Sequence, residues 1–230
     1  MSDAELVRAL LREAQVATIA TTERTSGRPY ASLVEVATSV EGQPLLLLSR
    51  LARHTRNLLA APAVAVLSDR RHDGAHPLTS ARVTLMGRAR LDAGRSTRER
   101  YLRRHGDAAV YADFADFQFW SVAVDDAHLV AGFGRIREVA AAELRLGDGS
   151  AGPSRDLIAR LATDESEIIA TLESELPLHS PMRIVGLDAE GVDVLRFGRH
   201  QRLAFGQAAE VMDRLLTMAR GVLSDAVAAG

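Results

Sequence analysis

Apolar positions along this chain follow two different periods. Near the N-terminus, LVRALLREA spaces its leucines and valine along one face of a helix, and Ser2 with Glu5 has capping-box spacing just ahead of it. Further on the period shortens to two. VATIATT reads as a strand, TSGRP as a turn, and PYASLVEVATS alternates like a half-buried strand. VEGQP turns the chain into PLLLLS, which has no polar face and is expected to be buried on both sides. HTRNLLAAP is a short helix stopped by Pro62, and AVAVLSD is another strand. RRHDGAHPLTS reads as a loop. ARVTLMGRARL is a long strand with Arg82, Thr84 and Met86 on one face and Val83, Leu85 and Gly87 on the other. DAGRSTRERYLRRHG is a polar helix ended by Gly106, and QFWSVAVDD and HLVAGFGRIREV are two further strands.

Strands joined mostly by tight turns, with few helices between them, predict an antiparallel barrel rather than a doubly wound sheet. RLGDGSAGPSR breaks the pattern with three glycines and a proline and reads as a linker. Beyond it, DLIARLATDESEIIATLESEL is helical and MRIVGLDAEGVDVLRFG is a hairpin around Ala-Glu-Gly. QRLAF is a strand, and QAAEVMDRLLTMARGVL is a closing helix. The expected architecture is α+β, with a barrel over residues 1–146 and a small α/β domain over 154–230.

Composition narrows the chemistry. The 230 residues are 47% hydrophobic, ample for a core. No apolar run approaches bilayer-spanning length, and the acidic, amphipathic N-terminus is unlike a signal peptide, so a cytoplasmic protein without membrane association is expected. The net charge of −2 argues against general nucleic-acid binding. There is no cysteine, which excludes disulfides, thiolate nucleophiles and cysteine-ligated metals. Lysine is also absent: all 28 basic residues are arginine, which excludes a Walker-type P-loop and a Schiff-base lysine.

The segment RLARHTRNLLAAP sets cations at a helix start that is already positive, so an anion, most simply a phosphate, would relieve it. The bland alternative for Arg53, Arg56 and Asn57 is a solvated helix face. Arg82 is open between a cross-strand salt bridge and a ligand contact. His72 and His76 bracket Asp73 in a glycine-containing loop, and no metal site is assigned to them. GFGRI lacks the full dinucleotide fingerprint and reads as a bulge or close backbone approach. No GxSxG elbow marks a hydrolase. Trp120 and the aromatics of DFADFQFW read as core or dimer interface.

LLLLSRLARHTRNLLAAPAVAVL, PLTSARVTLMGRA and HLVAGFGRI together resemble the pyridoxamine-phosphate-oxidase-like split barrels that bind FMN. Within them the likeness is nearest to the HugZ-type haem-degrading proteins, whose small C-terminal domain the IVGLDAEGVDV hairpin also resembles. The resemblance implies a homodimer with FMN at the subunit interface and a small-molecule substrate. It places the cofactor-binding positions on Ser32, Ser49, Arg53, His54, Asn57, Arg82 and Arg135. His54 stands where the family's lysine would be. No catalytic residue is implied, because the flavin carries the redox chemistry.

The main expectation is therefore an FMN-dependent oxidoreductase of unknown substrate. One alternative is a haem-binding or haem-degrading protein. Its iron ligand would be sought among His54, His179 and His200, since the tail VLSDAVAAG carries no histidine. The other is a cofactor-free split-barrel dimer that acts by binding a partner.

Overall fold

A computed structural model describes residues 1–69, 80–132, 134–145, 165–170, 173–174, 182–188, 190–197 and 199–204. The linker, the closing helix, His179 and the loop with His72 and His76 lie outside these residues.

Helix α1 (Asp3–Glu13) starts with the expected capping box, Ser2 Oγ accepting from the Glu5 backbone while the Glu5 carboxylate accepts from the Ser2 N–H. Then follow β1 (Val16–Thr22), β2 (Pro29–Glu35), β3 (Ala37–Thr38), β4 (Pro44–Ser49), α2 (Arg53–Ala60), β5 (Ala63–Asp69) and β6 (Arg82–Leu91). Next come α3 (Arg95–Arg104), a 3-10 turn (Gly106–Val110), β7 (Phe117–Val130), β8 (Ile136–Ala140) and the short α4 (Ala141–Leu144). A second sheet holds β9 (Met182–Asp188), β10 (Gly191–Arg196) and β11 (Arg199–Ala204). Among the described residues no helix is long and apolar enough to cross a membrane.

The first sheet is antiparallel throughout, in the order β2-β1-β5-β6-β7-β4-β3, with β8 also on β7. Strand β7 explains the split. Its 14 residues run the full length of β6, while its opposite edge is shared: residues 117–121 pair with β4 and residues 126–130 with β8. The sheet then curls until β2 meets β4, giving the expected split barrel.

Three details depart from the sequence reading. QFWSVAVDD and HLV form one strand, because a bulge at Asp125, between the pairs Met86–Asp126 and Gly87–Val124, absorbs the irregularity. Gly87 is required there: a Cβ would lie 2.1 Å from the Ala123 carbonyl oxygen. The chain reverses instead at AGFGR, where Gly132 and Gly134 take positive φ, so HLVAGFGRIREV is a hairpin rather than a strand. PYASLVEVATS likewise divides at Val36 into β2 and β3.

Alternating burial along β1, β5 and β6 fills the barrel interior with Ile19, Val66, Val83 and Leu85, and Trp120 joins them. Helix α1 closes one end through Leu6, Val7, Leu10 and Leu11. PLLLLS is buried on both faces, as its composition requires. Leu46 and Leu48 enter the barrel, whereas Leu45 and Leu47 pack outside it beneath Tyr101 of α3, Ala108 and Ala112. Helix α3 is thus less solvated than its sequence suggests: Arg100, Tyr101 and Arg104 are all buried.

Candidate functional site

Where β2 returns toward β4 the barrel stays open, leaving a cleft of about 320 Å³. Leu33 and Glu35 line one wall and Leu47 and Ser49 the other, with Ala52 and His54 at the start of α2. The far side is aromatic: Tyr101 from α3, Tyr111 and Phe117.

His54 Nδ1 lies 3.0 Å from Ser32 Oγ, so the structure brings together two residues that the sequence separates by a strand and two turns. Burial holds the imidazole below its ordinary pKa, so it is neutral near pH 7. Its Nε2 has no hydrogen-bond partner among the described residues. Arg53, beside it, is exposed; it sits 5.2 Å over the Tyr30 ring and 3.6 Å from Glu23. Ala52 at the helix N-cap offers no side-chain acceptor, and no acidic residue occupies the first turn. The helix therefore starts without the two groups that ordinarily offset its dipole.

The other predicted positions are occupied differently. Ser49 lines the cleft, but its hydroxyl donates to Asp116 at 2.5 Å and accepts from the Leu51 N–H. Asn57 is fully buried; its amide donates to Thr21 Oγ1 at 3.1 Å and accepts from the Arg24 N–H at 3.2 Å, pinning the β1–β2 hairpin to α2. Arg82 opens β6 opposite Val130, at the far end of β7 from Phe117. That end is roughly 40 Å away along the strand. Arg135 is at the same end and pairs with Asp3 of α1. Within one chain Ser49 and His54 line the cleft, Ser32 reaches it through its hydrogen bond to His54, Arg53 turns to Glu23 and Tyr30, and Arg82 and Arg135 lie at the far end of β7.

The sequence reading missed the polar aromatic wall. Tyr111 donates to Glu35 at 3.2 Å, and the Tyr101 hydroxyl also interacts with Glu35 and with the Leu47 backbone. Burial, with the Glu35 charge behind it, raises both phenols above their ordinary pKa, so they are proton donors at any physiological pH. The available signal was Tyr101 itself, the one aromatic in RSTRERYLRR. Among the described residues no cluster of three or more histidine, aspartate or glutamate side chains could hold a metal ion.

With this geometry in place, comparison with known proteins is informative. The profile of the family described as CREG, beta-barrel matches residues 1–144. A 126-residue stretch is 32% identical to the chloroplastic haem oxygenase HOZ of Arabidopsis thaliana, covering 53% of this chain and 38% of that one. The chain thus spans well under half of that relative. The structure of a haem-binding protein from Mycobacterium smegmatis superposes with a TM-score of 0.60 at 26% identity, covering 96% of this chain and 98% of that one. A protein of unknown function from Agrobacterium tumefaciens superposes with a TM-score of 0.74 at 21% identity, covering 94% of each chain, which supports the fold.

Proposed function

The chain belongs to the CREG β-barrel family, and from that premise we propose that it binds haem in the cleft between β2 and β4. One observation carries the reading: His54 is half-buried in the cleft wall, its pKa lowered by burial, with Nδ1 held by Ser32 and no partner for Nε2 among the described residues. A histidine that binds iron has this form, one nitrogen oriented by a hydrogen bond and the other keeping its lone pair. The rest of the cleft suits a porphyrin. Leu33, Leu47 and Phe117 give it apolar walls. Arg53 and Arg56, exposed on α2 on either side of His54 in the sequence, would offer guanidinium forks to propionates. The haem relatives favour this alternative over the FMN oxidoreductase that the sequence first suggested.

When bound and reduced, haem would supply oxygen chemistry. The protein's own residues bind and orient it: His54 as ligand, Ser32 setting the tautomer, and Tyr101 and Tyr111 as fixed proton donors beside Glu35. Leu33 and Leu51, exposed to 69% and 73%, leave an apolar rim that a second copy of the chain would cover. In such a homodimer the only route by which Arg82 and Arg135 reach a cleft is across the interface.

Titration with haemin tests the reading. Wild-type protein is expected to give a sharp Soret band that stays with it through gel filtration, and His54→Ala to lose that band or weaken binding at least tenfold, about 1.4 kcal/mol. Identical spectra for the two proteins would remove His54 as the ligand. Release of a bile-pigment product on adding reductant would extend binding to degradation. FMN remains a second reading, favoured by the uncapped, acid-free start of α2, where a phosphate would bind. Flavin absorbance retained through gel filtration would select it.

A further inference from the structure

Helix α3 presents two faces to two different parts of the molecule. Tyr101 is 1% exposed and lines the cleft against Leu47. Arg100, the preceding residue, points about 100° away around the helix, into the contact with the second sheet. Its Nε donates to the Thr38 carbonyl of β3, and its Nη1 donates to the Leu187 carbonyl of β9 at 2.8 Å. The same Nη1 pairs with Glu165, whose carboxylate also accepts from the Leu187 N–H at 3.0 Å and lies 3.2 Å from Arg103. The next residue, Ser166, accepts from Arg103 and donates to Glu99. The three α3 residues in this set, Glu99, Arg100 and Arg103, and their partners Glu165 and Ser166 tie the helix that carries Tyr101 to the C-terminal part of the chain.

We infer that Glu165 is a positioning residue for the cleft: by clamping Arg100 and Arg103 it fixes α3, and so holds Tyr101 on the cleft wall. The inference deepens the haem reading and rests on it only for its ligand readout. The molecule contains its own control. Glu190 docks the same sheet, but through Arg8 and Arg12 of α1, which has no residue in the cleft. A residue that merely stabilises the sheet's docking would act alike at either place. A residue that positions the cleft would not.

The experiment compares Glu165→Gln with Glu190→Gln in the full chain by two measurements. One is haemin affinity. The other is amide hydrogen exchange of residues 45–49 and 99–104 without any ligand. Glu165→Gln is expected to weaken haemin binding at least fivefold and to speed exchange in both segments. Glu190→Gln should leave both within twofold even if it lowers the melting temperature as much. Equal effects of the two variants, or no effect of Glu165→Gln, overturn the inference. If wild-type protein holds no haemin, the haem reading fails and hydrogen exchange alone decides, by the same criterion. Should Glu165→Gln not fold, Ser166→Ala, a milder lesion on the same face of α3, replaces it: faster exchange at 45–49 sustains the inference, and unchanged exchange overturns it.

Discussion

The barrel interior and the seam beneath the second sheet are both buried, and they are built from opposite materials. Inside the barrel, Ile19, Val66, Leu85 and Leu129 belong to one buried apolar cluster, and their burial supplies stability in proportion to area. In the seam, Asp188 lies fully buried among Arg12 at 2.9 Å, Arg202 at 2.8 Å and Arg100 at 3.9 Å. Glu190 takes Arg8 and Arg12, and Asp193 takes Arg202 at 3.1 Å. Desolvating so many charges costs as much as their attraction returns, so the seam adds little net stability. It adds geometry. An arginine fork accepts a carboxylate in few orientations, whereas a leucine tolerates many neighbours. The barrel holds the fold, and the seam fixes where the second sheet sits.

Breaking one partner in each region separates the two roles. Asp188→Ala removes the one carboxylate that Arg12, Arg202 and Arg100 share and should cost about 3–5 kcal/mol in urea denaturation. Leu85→Ala, at a fully buried barrel position, should cost about 3 kcal/mol through lost transfer energy and the cavity left behind. If Asp188→Ala costs less than Leu85→Ala, the seam is wetter or looser than described and the contrast fails. A smaller effect distinguishes the regions by pH. Burial alone would raise the Asp188 carboxyl, but Arg12, Arg202 and Arg100 outweigh it and hold the group below its ordinary range. The stability it contributes is complete above about pH 4 and is lost as pH falls through its folded value. His200, also in the second sheet, is lowered by burial, Arg104 and His105 to about 4. A histidine depressed in the folded state is neutral there while the unfolded chain takes up its proton, so stability should decline from about pH 6.5 down to 4. The urea midpoint should follow that slope, and His200→Asn should flatten its upper part. A midpoint that is level from pH 7 to 4 would show that His200 is not held neutral.

The same contrast explains what could be read from the sequence. Period-two strands announce themselves, because the interior side chain at every second position is apolar whatever it touches. VATIATT, AVAVLSD and ARVTLMGRARL did so, and PLLLLS declared its two buried faces. An ion-pair seam gives no such sign. Arg12 and Asp188 are 176 positions apart, and an arginine with a distant carboxylate looks like any solvated one; RSTRERYLRR reads as a polar helix for that reason. Strand β7 read as two because nothing in the sequence shows that a bulge at Asp125 carries one strand through QFWSVAVDD into HLV. At the cleft, the cation cluster at 50–56 drew attention to the helix whose start lines it. Yet Arg82 and Arg135 could not be excluded from it until the length of β7 was known, and Glu35 and Tyr111 had no motif to mark them.

Helix α1 belongs to both regions, which makes its cap the finest test of how separate they are. One face carries Leu6, Val7, Leu10 and Leu11 into the barrel, and another carries Arg8 and Arg12 into the seam. Ser2→Ala removes the acceptor for the Glu5 N–H without touching either face. It should cost about 1 kcal/mol, the ordinary value of an N-cap. The cap lies a full turn before Arg8 and farther still from Arg12, so fraying should spread first into Leu6 and Val7. Amide exchange should therefore rise at residues 5–7 and leave the second sheet unchanged. If β9 and β10 exchange faster as well, the seam depends on the whole length of α1, and the two regions are one cooperative unit rather than a rigid barrel with a clamped addition.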